Sequence, residues 1–348
     1  MTRKARIEKF SIGKIIGTEK AKNDDGMFEG KNFIAVFDGV SSNSSVIING
    51  KKVRVVDIIN DAMKELDEHE HQEEITLELC TAYVNSYINR FCSTHGIDLQ
   101  TTRMEATGAI YSKQKNQIWI VGDCQAVYDG KTITNELEID ILYAEIRQKV
   151  IEGLKILGYT EEQLQEEDIS LKIVDNPDSA TEYMGKEWAE RVKNYIRRKM
   201  KEALLECGFQ EDEIENKLKQ FYSPKVLQPY LKNNANVGKY GYSVFNGIKT
   251  PLENCKQIQL PENVKEIRLS TDGVPVDVLK NGKDAGAIIR ATRSRAKKDP
   301  LGINPIEIHG SAMQAPNFKV NTMAWDDATA VIIKFEPEQI IENAGDER

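Results

Sequence analysis

Phe33-Ile34-Ala35-Val36-Phe37-Asp38-Gly39 is the stretch from which the rest of the chain can be read. Five consecutive apolar residues, β-branched and aromatic, predict a strand buried on both faces. Asp38-Gly39 suits a tight turn, so the run delivers a carboxylate where a core strand leaves its sheet. The same grammar recurs. Ile118-Trp119-Ile120-Val121 runs into Gly122-Asp123, and Ile267-Arg268-Leu269-Ser270 runs into Thr271-Asp272-Gly273. Asp326-Asp327-Ala328-Thr329 inverts the order and precedes the strand Ala330-Val331-Ile332-Ile333-Lys334-Phe335. A turn accounts for any one of these acids. Four together predict strand ends that converge on one metal site.

The whole chain sets the class. Its 348 residues are 40% hydrophobic and 29% charged, the composition of a soluble globular protein. A net charge of -8 argues against nucleic acid or an anionic membrane as partner and suits divalent cations. No apolar run reaches the length of a membrane span. Residues 1–9 lack the apolar core of a secretory signal. Cys80, Cys92, Cys124, Cys207 and Cys255 are scattered, with no C-x-x-C pair. They read as reduced thiols in a cytoplasmic protein. Cys124, beside Asp123, is expected to be a packing residue rather than a nucleophile.

Residues 5–16 predict an edge strand. Lys20-Ala21-Lys22-Asn23-Asp24-Asp25-Gly26 is a polar turn that brings cations and two further acids near Asp38. Val40 to Ser45 is a flexible polar segment suited to bordering a pocket. Apolar stripes predict helices over 55–66 and 75–91. His69 and His71 fall between them, where a solvated turn is favoured over a metal site. Residues 107–112, 117–121 and 124–128 predict an antiparallel meander, because their connections are too short for crossover helices. The block 137–231 is helical and charged, and reads as an insertion or lid. One of its helices carries Arg191, Lys193, Arg197, Arg198, Lys199 and Lys201, expected to be a solvated face paired with nearby Glu. Strands over 241–245, 257–260 and 266–270, a helix over 284–298 and an acidic tail from Glu336, expected to be frayed, complete the pattern.

Clustered Asp with neither His nor Cys partners suits Mg²⁺ or Mn²⁺, which prefer oxygen ligands. The four motifs, in this order, resemble those of the metal-dependent protein phosphatases of type 2C, across about residues 5–135 and 238–336. The resemblance implies an α+β fold: a four-layer α-β-β-α sandwich with two central antiparallel sheets. It implies a single domain spanning 1–348, with 137–231 as a helical insertion at the substrate side. It implies a serine/threonine phosphoprotein phosphatase, a phosphoric monoester hydrolase using metal-activated water. Asp38 would bridge two Mn²⁺ or Mg²⁺ ions and the Gly39 carbonyl would bind one of them. Asp272 and Asp326 would complete the ion nearer the strand ends, Asp123 would support a third, weaker ion, and Asp24 or Asp25 would reach metal directly or through water. Lys20 would meet the substrate phosphate where many members carry Arg.

Two departures stand out. Val40 replaces the His or Met often found after Asp-Gly, and Gln125 stands where Arg is usual. Val40 and Lys20 leave a second reading open: a weak or inactive phosphatase fold that regulates by binding a protein partner through the insertion. The carboxylates favour the enzyme, because crowded acids are costly without metal. The expected macromolecular partner is a phosphorylated protein.

Overall fold

The computed structural model describes residues 4–13, 23–39, 45–99, 101–102, 104–135, 137–167, 169–299 and 326–336. Lys20, Val40, residues 14–16 of the expected edge strand and the tail beyond Glu336 lie outside the described residues. In order, the chain forms β1 (Ala5–Ile12), β2 (Gly26–Glu29), β3 (Phe33–Gly39), β4 (Ser45–Ile48), β5 (Lys51–Arg54), α1 (Val55–Asp67) and α2 (Leu77–Thr94). Then come β6 (Ala106–Ser112), β7 (Gln117–Val121), β8 (Gln125–Tyr128) and β9 (Lys131–Ile133). A helical block follows: α3 (Glu138–Ile156), α4 (Glu161–Glu167), α5 (Ile169–Asp175), α6 (Ala180–Glu206), α7 (Ile214–Gln220) and α8 (Pro224–Leu231). The chain returns through β10 (Cys255–Gln259), β11 (Glu266–Ser270), α9 (Val276–Asn281), α10 (Ala285–Lys298) and β12 (Ala328–Phe335).

Two antiparallel sheets face each other, one ordered β1-β12-β11-β8-β9 and the other β10-β7-β6-β3-β2. The period of two along each strand explains the layers. On β3, Phe33, Ala35 and Phe37 pack outward against α1 and α2, while Ile34 and Val36 point between the sheets. On β12, Val331 and Ile333 point between the sheets, while Ala330 and Ile332 pack outward with Val278, Leu279 and Ile288 of α9 and α10. The result is the expected four-layer α-β-β-α sandwich. The helical block adds a separate core of its own, built around Ile146, Val150, Ile196 and Met200. None of the described helices is long and apolar enough to cross a membrane.

Two expectations need correcting. The run 107–128 is not one meander: β6 and β7 pair in one sheet, whereas β8 pairs with β11 in the other. The chain changes sheets at Gly122-Asp123-Cys124. Gly122 sits at φ +80, and a Cβ there would lie 2.2 Å from Thr107 Cγ2, so only glycine fits the crossing. Residues 241–245 form no strand, only isolated bridges such as Ala106 to Phe245. Side chains take up their backbone groups instead: Asn233 accepts from Val244 N at 2.9 Å and donates to Val244 O at 3.0 Å. The expected polar segment 40–45 lies outside the described residues up to Ser45, where the hairpin of β4 and β5, joined at Asn49-Gly50, begins. The basic stripe of α6 behaves as expected, with Arg191 on Glu187, Lys193 on Asp178, Lys199 on Glu145 and Lys201 on Glu211.

Candidate metal centre

The alternation that builds the core also aims the acids. Asp38 continues the parity of Ile34 and Val36, so it points between the sheets at the end of β3, opposite Thr107 on β6. Thr107 Oγ1 donates to Asp123 Oδ1 at 2.7 Å, which draws the crossover residue to the same end of the cleft. Asp272 follows β11 and Asp326 precedes β12; these strands are antiparallel with Ser270 opposite Ala330, so both acids emerge there. Asp38 and Asp272 lie within hydrogen-bond reach of each other. The strongest charges acting on Asp38 are all carboxylates: Asp272, Asp25, Asp123 and Asp326.

The turn before β2 closes the site. Asn23 Oδ1 accepts from Asp25 N at 2.9 Å, and Asn23 Nδ2 donates to Ser11 Oγ at 2.6 Å. Arg54 donates to the carbonyls of Asn23 and Asp25 at 2.7 and 3.0 Å while its guanidinium also holds Asp57 at 2.6 Å. The two acids of this turn then part. Asp24 Oδ1 accepts from Lys52 Nζ at 2.9 Å, whereas Asp25 faces Asp326 and Asp327. Thr271 Oγ1 donates to Asp25 Oδ2 at 2.9 Å; Asp25 Oδ1 is buried with no hydrogen-bond partner among the described residues.

Burial, and then the neighbouring carboxylates, push Asp25, Asp38 and Asp272 well above the usual carboxylate range. Asp123 is also raised by burial, with the Thr107 bond opposing. An orphaned carboxylate oxygen amid like charges, with only oxygen donors around it, fits a hard divalent cation. Asp25, Asp38, Asp272, Asp326 and Asp123 gather at this end of the cleft, although among the described residues the group of three such ligands lying within 4.8 Å of one another is found elsewhere. Gly39 ends β3, buried against the Asp24 backbone.

Several participants escaped the sequence reading. Asp327 is 3% exposed and accepts from Asp24 N at 2.7 Å, pinning the Asn23–Asp25 turn to the start of β12. Its signal was available: Thr329, Val331 and Ile333 point inward, so 327 shares their parity. Lys52 and Arg54 arrive on the β4–β5 hairpin, whose Asn49-Gly50 turn is a standard two-residue hairpin signal. Cys124 is buried, and burial together with Asp123 raises its thiol well above the ordinary value, as a packing residue requires. His71, with Glu73 and Glu74, forms an exposed group whose ligand atoms lie within 4.8 Å of one another. That group is remote from the cleft in the fold, following α1 at its far end from Arg54.

No family model matches the chain, and no curated protein matches it. Solved structures do resemble it. A Mycobacterium tuberculosis serine/threonine phosphatase aligns over 96% of this chain and 99% of its own, at 12% identity and a TM-score of 0.40. The catalytic domain of the phosphatase PstP, solved in complex with two manganese ions, covers the same shares at 12% and 0.41. The serine/threonine phosphatase Stp1 from Staphylococcus aureus covers 96% of both chains at 12% and 0.43. All three are serine/threonine phosphatases. Similarity at this level carries nothing about individual residues; their placement rests on the strand register and hydrogen bonds above.

Proposed function

We propose that this chain is a metal-dependent phosphomonoester hydrolase acting on phosphoserine or phosphothreonine in proteins. The observation that supports the reading is the convergence of Asp25, Asp38, Asp123, Asp272 and Asp326, from five separated stretches, on one end of the cleft between two sheets. A pair of Mn²⁺ or Mg²⁺ ions bound there would neutralise the phosphoryl oxygens and activate a water molecule for in-line attack.

The chain's own residues do the positioning. Asp38 is central, because the other four acids act on it directly. Thr107 and Thr271 fix the rotamers of Asp123 and Asp25 through hydroxyl donors. Arg54 locks the turn carrying Asp25 by binding two of its carbonyls. Lys52 balances Asp24 and is 41% exposed on its side chain, so it offers a positive charge to a phosphate entering the cleft. Lys20 has the same role in this proposal, on sequence grounds. Cys124, the thiol beside Asp123, is no nucleophile here, because burial holds it protonated. All five cysteines are free, which suits a reducing compartment such as the cytoplasm.

The test is hydrolysis of a phosphothreonine peptide and of an aryl phosphate with Mn²⁺, with Mg²⁺ and with chelator. Turnover that needs metal and vanishes in Asp38→Asn is expected. Tight metal binding without turnover on either ester would instead favour the regulatory reading.

A further inference from the structure

The hairpin of β4 and β5 forms a sheet of its own and touches the acidic cleft through the Asn23–Asp25 turn. Asn49 and Gly50 at its tip both lie at positive φ, +51 and +76, the two-residue turn that matches the twist of the flanking strands. A Cβ added to Gly50 would meet nothing within 4 Å, so the tip projects into open space. The base is fixed. Val46 and Val53, opposite each other, pack one face of the hairpin against the core shared with α1 and α2. Arg54, on the other face, binds the carbonyls of Asn23 and Asp25.

Alternation along the strands puts Ser45, Ile47, Lys52 and Arg54 together on that second face. Lys52 Nζ donates to Asp24 Oδ1 at 2.9 Å, and its side chain remains 41% exposed. Ile47 stands directly opposite Lys52 and is 70% exposed. A lone exposed isoleucine means little by itself. Its neighbour distinguishes this one. Directly opposed side chains have Cβ atoms about 4.5–5.5 Å apart, so a group that meets the Lys52 ammonium brings its own neighbours to Ile47. A phosphorylated serine or threonine is such a group, with an anion for the lysine and peptide on either side. In an extended peptide the residues two positions away share its face, about 6.5–7 Å off, within reach of Ile47. An apolar side chain there takes the exposed surface of Ile47 out of water; a small polar one does not.

We propose that Ile47 sets substrate specificity: the hairpin face it shares with Lys52 receives the phosphorylated segment of a protein in extended form, with an apolar side chain two positions from the phosphorylated residue packed on Ile47. This rests on the phosphatase reading above and gives its substrate class a sequence preference. Ile47 takes no part in the chemistry at the metal, so its replacement acts on capture of the peptide and is read in KM rather than kcat. An aryl phosphate has no flanking residue and makes no such contact.

The experiment is steady-state hydrolysis with Mn²⁺ by the full chain, as wild type, Ile47→Ser and Ile47→Val. The substrates are an aryl phosphate and two phosphothreonine peptides that differ only in carrying Leu or Ser at both positions two residues from the phosphothreonine. The wild type should prefer the Leu peptide by about fivefold to tenfold in kcat/KM, the effect of partly burying one leucine, and the preference should lie in KM. Ile47→Ser should bring the two peptides within about twofold of each other, and Ile47→Val should keep most of the preference. Equal use of the two peptides by the wild type, a preference that survives in Ile47→Ser, or a loss confined to kcat would overturn the inference. So would a wild type that sediments as a dimer beside an Ile47→Ser that sediments as a monomer, which would assign this face to contacts between copies. Absence of metal-dependent turnover on the peptides and the aryl phosphate alike would overturn the phosphatase reading itself, which separates the two failures.

Discussion

Removing the charge of Asp38 should make the metal-free protein more stable while abolishing its response to metal. Two carboxylates about 4 Å apart at an effective dielectric near 20 repel by about 4 kcal/mol. Asp38 faces four of them. Protonation relieves most of that repulsion, at about 1.4 kcal/mol for each pH unit a carboxyl is raised. We expect Asp38→Asn in chelator at pH 7.5 to gain about 1–3 kcal/mol, or about 2–5 °C in Tm. The sign follows from the raised carboxyls. Their contribution is fully present below the ordinary carboxylate pKa of 3.8 and is lost as pH rises through the higher folded value. The gap between variant and wild type should therefore close near pH 4 and open as pH rises. Mn²⁺ at about one hundred times its Kd should stabilise the wild type by about 2.7 kcal/mol per ion and the variant far less, inverting the order. Thermal melting followed by circular dichroism, with chelator and with Mn²⁺, measures both. A folded variant that melts below the wild type in chelator, or gains as much from Mn²⁺, would refute the reasoning.

Gly273→Ala should cost about 1–3 kcal/mol in urea unfolding and weaken Mn²⁺ at least tenfold, since the new Cβ would lie 2.0 Å from the Asp327 carbonyl oxygen. Lys232→Met should destabilise by about 3–5 kcal/mol by stranding Glu105, and Lys232→Met with Glu105→Leu should recover most of that in the same unfolding assay. Mn²⁺ binding at pH 6.5 should release protons, because Asp25, Asp38 and Asp272 are raised without metal. Calorimetry in buffers of different ionisation heat reads this, and heats independent of buffer would contradict it.

The apolar run ending at Asp38 was legible because a strand buried on both faces has one reading, and its parity already fixes which side Asp38 takes. Asp123, Asp272 and Asp326 were legible for the same reason, each being punctuation at the end of a strand. The sheet change at Asp123 was not, since a short connection between apolar runs looks the same whether it closes a hairpin or crosses a sandwich. Residues 241–245 read as a strand from composition; the side chain of Asn233, distant in the local pattern, satisfies that backbone instead.

The central claim is that these acids form one cation-binding pocket, and anomalous diffraction from crystals soaked in Mn²⁺ tests it most directly. Two manganese peaks sharing Asp38, with Asp25, Asp272 and Asp326 around them, are predicted. A cleft without anomalous density, with manganese found only at the exposed His71, Glu73 and Glu74 group, would contradict it.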